Sequence, residues 1–339
     1  MTETTTTDEG GVPDIPARPP SRGFLEERRD LALGLGLALA IVVVIVATGE
    51  KQALVIGTIS GAAYGLVAIG LVLIYKSSGV FNFAQGEFGT VALFALYLLH
   101  FHVPYGIAVI GALVVALLMG LLVERLIIRP LFTAPRVILL VATAGVALLT
   151  IGIELWFGGT LGKNVNRALP ELNRMTIFGL QISDQRLLLI GTLAVLALLL
   201  GLFFSRTNLG LAIIGASQEP TATELVGISV RRLSSFTWAM SAVLGGLAAI
   251  LAVPETGSFT PGVMTSSYLI PAFTAAVLGG MTSLPGAFLG GVLIGVIQSI
   301  ATSGAVFDDI PGTPSTLLVF IVLVLVLVIR PQGLLGKKA

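Results

Sequence analysis

Apolar stretches close to the length of a bilayer crossing recur along this chain from Leu31 onward, and that recurrence decides what can solvate it. About 20 helical residues cross a hydrocarbon core. Stretches of that order fall at 31–49, 52–75, 83–101, 104–127, 137–157, 186–204, 232–253, 265–283, 286–304 and 315–330. Composition agrees, because 55% of the 339 residues are hydrophobic and 11% are charged, against roughly 25% charged in ordinary soluble domains. So few charges cannot cover a protein of this size with polar surface. Backbone polar groups in lipid must be satisfied within the segment, which favours helices. The expected fold is an all-α, polytopic membrane helix bundle of about ten transmembrane helices, with the lipid bilayer as its main solvent.

Residues 1–30, "MTETTTTDEGGVPDIPARPPSRGFLEERRD", are rich in Thr, Pro and charge and offer little to bury. They are expected to form a flexible cytoplasmic tail, and the first apolar run comes too late for a secretory leader. Lys and Arg set the orientation. With the N-terminus cytoplasmic and ten spans, only Lys51, Lys163, Arg167, Arg174 and Arg186 of the 19 basic residues fall outside. Both termini are therefore expected in the cytoplasm, in a multi-pass protein of the plasma (inner) membrane.

Several chemistries are excluded. A formal charge of +1 gives no concentrated basic face for nucleic acid. The absence of cysteine removes disulfides and thiolate metal sites. His100 and His102 in "LLHFHVP" stand two apart, a spacing that does not share a helix face, and are expected at an interfacial loop rather than on a metal. "GGTLGKN" and "GLLGKKA" place Phe157 and Pro331 where a phosphate-binding loop needs its first Gly, and neither carries Ser or Thr after the Lys. No HExxH or nucleophile elbow occurs. The chain is thus expected to have no catalytic residues, no metal and no cofactor of its own.

Glycine is patterned. "GTISGAAYG" sets Gly57, Gly61 and Gly65 at spacing four, and "GAFLGGVLIG" repeats that spacing with Gly286 and Gly290, then Gly291 and Gly295. In lipid, such small-residue faces let helix backbones approach closely, so these seven are assigned to helix packing. The segment "RTNLGLAIIGASQEPTATELVGISVRRL", 206–233, is the most informative polar stretch. Within it Ser217 is placed to cap a short surface helix, Pro220 falls in its first turn and Gly227 stands at its stop. On physics alone the segment reads either as a docking helix or as an ordinary connecting loop.

The segments "GAAYGLVAIGLVLIYKSSGVFNFAQGEFG", "VERLIIRPL", "RTNLGLAIIGASQEPTATELVGIS", "PAFTAAVLGGMTSLPGAFLGGVLIG" and "RPQGLLG" together resemble the LivH-type permeases of branched-chain amino-acid ABC importers. The similarity runs in order from about residue 52 to the end. It implies an importer-permease domain over 52–339, preceded by an extra N-terminal transmembrane helix over 31–51. It further implies a second related permease subunit, two cytoplasmic ATP-binding subunits that hydrolyse ATP, and an extracytoplasmic solute-binding protein. The family's ATPase-coupling loop falls on "ASQEPTATELVGI", and Glu219, Ala222 and Gly227 are the positions it assigns there.

"GVFNFAQGEFGT", 79–90, gathers Asn82, Gln85 and Glu87 beside an apolar span. A carboxylate at mid-bilayer costs roughly 2.5–3.5 kcal/mol, so Glu87 should not face lipid. Either Asn82 caps the third span and Glu87 rests in its first turn, favoured by the helix dipole, or these side chains line a polar pathway. Ser241 and Gln298 join them as pathway candidates, and Glu154 faces the same alternatives. Branched-chain amino acids are the expected solute. Urea, short amides and other amino acids remain alternatives, as does an ion-coupled secondary transporter. The spans lack the ladder of buried charges usual for ion coupling, and the docking-type loop disfavours a channel or scaffold.

Overall fold

A computed structural model describes residues 51–165, 174–177, 180–281, 283–302, 314–329 and 333. The expected tail (1–30) and first span (31–49) lie outside the described residues. The helices run α1 Lys51–Ser78, α2 Gln85–Leu99, α3 Tyr105–Val123, α4 Arg136–Gly158, α5 Asp184–Arg206, α6 Asn208–Gln218, α7 Pro220–Leu225, α8 Val230–Ala252, α9 Ile270–Gly279, α10 Leu284–Thr302 and α11 Pro314–Ile329. A π-helical turn, Glu124–Ile128, and a 3-10 turn, Arg129–Leu131, extend α3; another π-helical turn, Met264–Leu269, leads into α9. Six segments are long and apolar enough to cross a membrane: 53–78, 105–131, 136–158, 186–206, 230–256 and 284–302. Three expected spans are shorter apolar helices, over 85–99, 264–279 and 315–328.

The expected all-helical chain also contains a small antiparallel hairpin. Strands β1, Arg174–Ile177, and β2, Leu180–Ser183, pair Arg174 with Ser183 and Ile177 with Leu180. It precedes α5, whose N-cap Ser183 accepts a hydrogen bond from the Arg186 N–H. "RMTIFGLQIS" holds β-branched residues around a Gly, the local signal for a hairpin, and the flanking helical segments do not override it.

Apolar sequence cannot by itself say which helices are central, because every span is apolar. Residue size decides. In α1, residues 61–74 are all buried, and α8 buries nearly all of 241–253; both are dense in Gly and Ala. The peripheral helices instead present large side chains outward, including Leu118 and Leu122 on α3, and Leu148, Leu149, Trp156 and Phe157 on α4. Small faces turn inward because they gain van der Waals contact there, whereas lipid already solvates Leu as well as another helix does.

The glycine stripes act in this way on two neighbours at once. A methyl group added at Gly57 would stand 2.5 Å from the Val296 Cα, and one at Gly61 would stand 2.6 Å from the Gly291 carbonyl. Gly291 and Gly295 therefore meet α1, while Gly286 and Gly290 meet the Gly279 and Ala275 backbone of α9. A parallel device went unread in the sequence: Ala108, Ala112, Ala116 and Gly120 recur every four residues along α3 and are all buried. A Cβ on Gly120 would lie 2.7 Å from the Trp238 carbonyl of α8.

Candidate functional site

Helix α2 does not begin where a full crossing would. Gly79, at φ +67°, ends α1, and the segment 80–84 enters the bundle with Val80, Asn82 and Ala84 buried. Phe81 stacks on Tyr75 and meets Phe273 edge-on, and the Phe83 N–H donates to Thr143 Oγ1 of α4. Gln85, the first residue of α2, then meets Gly70 and Ser241, which stand near the middle of α1 and α8. The helix N-terminus is thus held at mid-depth, where the Gln85 N–H reaches the Asn82 carbonyl and the Phe88 N–H that of Ala84, each at 3.3 Å.

Asn82 is not the cap. That position is Ala84, which makes no side-chain cap, and Asn82 Oδ1 instead accepts from the Ala84 N–H at 3.0 Å. Gln85 and Ser241 form a closed pair: Ser241 Oγ donates to Gln85 Oε1 at 2.6 Å, and Gln85 Nε2 donates to the Ser241 carbonyl at 3.0 Å. Both side chains are fully buried. In this conformation they join α2 to α8 and are not open to a passage.

Glu87 is also fully buried, in the first turn of α2 where the helix dipole favours an anion. Its carboxyl lies among Thr90, Thr265 and Glu154, and neither oxygen accepts a hydrogen bond among the described residues. Glu154 Oε2 accepts from the Gly262 N–H at 2.9 Å. The Met264 N–H donates to Thr90 Oγ1 at 3.3 Å, so the π-helical turn is bound to the first turns of α2. Gly86 permits this approach: a Cβ there would collide with Thr265. Glu87 and Glu154 stand 67 positions apart in the sequence; the fold makes them one polar cluster.

Gln298 belongs elsewhere. It lies on α10 beside Tyr64, and Tyr64 packs edge-on against Tyr268 at 5.5 Å. His100 and His102 follow α2, with their Nδ1 atoms at 3.2 and 3.1 Å from the Leu96 and Leu98 carbonyls.

At one end of the bundle, α6 and α7 form a bent pair between α5 and α8. Ser217 falls inside α6 and therefore does not cap the short helix; Glu219 occupies the junction, and Pro220 opens α7. Thr223 is buried, while Glu219, Ala222, Glu224, Leu225, Val226 and Gly227 are exposed. Gly227 ends the turn at φ +84°, a left-handed conformation that costs a side-chain-bearing residue roughly 1–2 kcal/mol. Its N–H reaches the Glu224 carbonyl at 3.0 Å, and the Ile228 N–H reaches that of Thr223 at 3.2 Å.

The same end carries an ion pair that the sequence did not single out, with Glu124 buried and Arg129 half-buried. Arg129 Nη2 lies 3.2 Å from Glu124 Oε2 and donates to Ser235 Oγ at 2.7 Å, and Ser235 donates to Glu124 at 2.8 Å. This ties the end of α3 to the first turns of α8, directly after the α6–α7 segment.

Residues 53–329 match the family model described as "Branched-chain amino acid transport system / permease component". The chain belongs to this permease family. It is 32% identical over 301 residues to the high-affinity branched-chain amino acid transport system permease protein BraD of Pseudomonas aeruginosa, covering 84% of this chain and 95% of that protein. It is 29% identical over 309 residues to LivH of Salmonella typhimurium, with 84% and 95% coverage. It is also 29% identical over 298 residues to the autoinducer 2 import system permease protein LsrD of Yersinia pseudotuberculosis, with 84% and 85% coverage. Among solved structures, PsaBC from Streptococcus pneumoniae in complex with Fab aligns with a TM-score of 0.47 and 15% identity, over 87% of this chain and 97% of that one.

Family membership makes this a multi-pass membrane protein and the permease component of an ABC importer, working with other transporter subunits rather than as an enzyme. The carboxyl cluster is wedged between the mid-depth end of α2 and the π-helical turn. The exposed α7 is a projection outside the packed bundle.

Proposed function

We propose that this chain provides the translocation path of a binding-protein-dependent importer for branched-chain amino acids. It pairs with a second, related permease, receives solute from an extracytoplasmic binding protein and is driven by two cytoplasmic ATP-binding subunits. ATP is used by those partners alone. Both termini lie in the cytoplasm of a cell whose plasma (inner) membrane holds the complex. The observation that carries this reading is α7: a short turn with Leu225 and Val226 exposed, inside a chain whose relatives are branched-chain amino-acid permeases. Apolar side chains on a projection outside the bundle are explained by a protein groove, and Glu219, Ala222 and Gly227 are the positions assigned to that contact.

The test is reconstitution of the complete importer with its binding protein in liposomes, offering labelled leucine and urea in parallel. Uptake of leucine that depends on internal ATP is expected. Uptake of urea without leucine, or transport by this chain alone without ATP, overturns the proposal.

A further inference from the structure

At the end of the bundle opposite α6–α7, a cavity of about 190 Å³ opens between the start of α1, the start of α5, the end of α8 and the π-helical turn. One water needs only about 10–15 Å³ on this measure, so the space suits a small organic molecule. Ile56, Ile59 and Ala252 supply an apolar wall, and Ser60 and Tyr268 supply hydroxyl-bearing side chains. Arg186 and Glu255 also line it, joined by an ion pair of 2.9 Å between Arg186 Nε and Glu255 Oε2. Their side chains are 34% and 14% exposed, so the pair stands at the mouth and not in the core.

We propose that this cavity is a low-affinity entry subsite for a zwitterionic α-amino acid with an aliphatic side chain. The proposal rests on the transport reading above and names where the solute first meets this subunit. The pair is weakened by solvent at its half-exposed guanidinium. It can therefore separate for a solute that brings one charge of each sign. The guanidinium takes the α-carboxylate in a charge-assisted geometry, and the Glu255 carboxylate takes the α-ammonium. Together the two groups offer a zwitterion one charge of each sign, whereas an anion or a cation alone meets one attracting and one repelling charge. The aliphatic side chain then lies on Ile56, Ile59 and Ala252, with a gain that scales with apolar area.

The cavity is also placed to pass its contents inward. Tyr268 belongs to the π-helical turn, whose Thr265 meets Gly86 at the mid-depth end of α2. Gln298 stands behind Tyr268 by way of Tyr64. One turn thus separates the cavity from the buried carboxyl cluster. A shallow, weakly binding subsite suits a path fed by a tight external protein, because a deep well would slow onward release.

The complete importer with its binding protein is assayed in liposomes. Leucine uptake by the unaltered complex tests the transport reading alone. Given that uptake, Arg186→Gln and Glu255→Gln are each expected to lower it roughly tenfold, the scale of one charge-assisted hydrogen bond. Ile56→Phe, which narrows the cavity from an exposed position, is expected to slow leucine more than alanine, with ATPase subunits still co-purifying. The double variant Arg186→Glu, Glu255→Arg separates solute contact from simple bracing. It rebuilds an ion pair but reverses the polarity presented to the solute, and it is expected to stay impaired. Full recovery in the reversed pair, or unaltered leucine uptake in Ile56→Phe, overturns the subsite while leaving the transport reading intact.

Discussion

Glycine positions in this bundle differ sharply in what they tolerate, and the difference is set by the neighbouring backbone. At Gly61 a Cβ would stand 2.6 Å from the Gly291 carbonyl, whereas at Gly152 nothing lies within 4 Å. Gly61→Val is therefore expected to force α1 and α10 apart and to destabilise by about 1–3 kcal/mol or more. Gly152→Ala is expected to be neutral or slightly stabilising, through its better helix propensity. Thermal melting of the detergent-solubilised protein compares the two directly, and equal melting temperatures would refute the packing argument. Glu87 poses a different residue-scale question, because its carboxyl faces another carboxyl and accepts no hydrogen bond. Glu87→Gln keeps the shape, removes an ionisable group from a fully buried position and adds an N–H donor for Glu154. It is expected to leave the melting temperature unchanged or raised, to reduce transport only modestly, and to leave the leucine-to-urea preference as it was. A lowered melting temperature or a switched preference contradicts this.

Among elements, α7 and the ion pair beside it carry the separable predictions. Leu225 is 83% exposed, so Leu225→Asp removes nothing from the bundle's core. It is expected to leave the folded permease intact while abolishing solute-stimulated ATP turnover in the assembled importer. Gly227→Pro both forbids the observed φ of +84° and deletes the N–H that reaches Glu224. Transport should fall, and Glu219→Arg should lower it by reversing an exposed charge at the same turn. Normal coupled transport in all three variants would remove α7 from the coupling contact. Arg129→Gln, by contrast, leaves Glu124 buried with a weaker partner. It is expected to destabilise by about 1–3 kcal/mol, read as a lower melting temperature, because it leaves Ser235 as the remaining hydrogen-bond link from α8 to Glu124.

For the whole molecule, orientation is the property on which coupling and solute entry both depend. α1 and α10 run antiparallel, since Gly57 meets Val296 while Gly65 meets Phe288. Ser77 hydrogen-bonds Thr237 at 2.7 Å, which puts the end of α1 and the start of α8 at the α6–α7 end. With that end cytoplasmic, a cysteine placed at Asp184, beside the hairpin, is expected to react with an impermeant reagent added outside intact cells. One placed at Thr5 or Ala339 is expected to react only after lysis. The native chain has no cysteine, so the background is zero, and the opposite labelling pattern would reverse the orientation.

Sequence alone determined the solvent, the helical class and the family, because each is written locally. Apolar length marks the segments that lipid can solvate, Gly and Ala at spacing four mark close-packed faces, and Pro220 and Gly227 punctuate a short turn. Tertiary structure alone decided which of those apolar helices are central, since hydropathy is the same for lipid-facing and helix-facing Leu and only the partner's backbone tells them apart. It also decided that α2 starts at mid-depth, that Ser217 lies within α6, and that Ala84 takes the cap position expected of Asn82. The pairings of Gln85 with Ser241, Glu87 with Glu154 and Arg186 with Glu255 join residues on different helices. No periodicity within one helix can encode them, because they depend on the register at which separate helices pack.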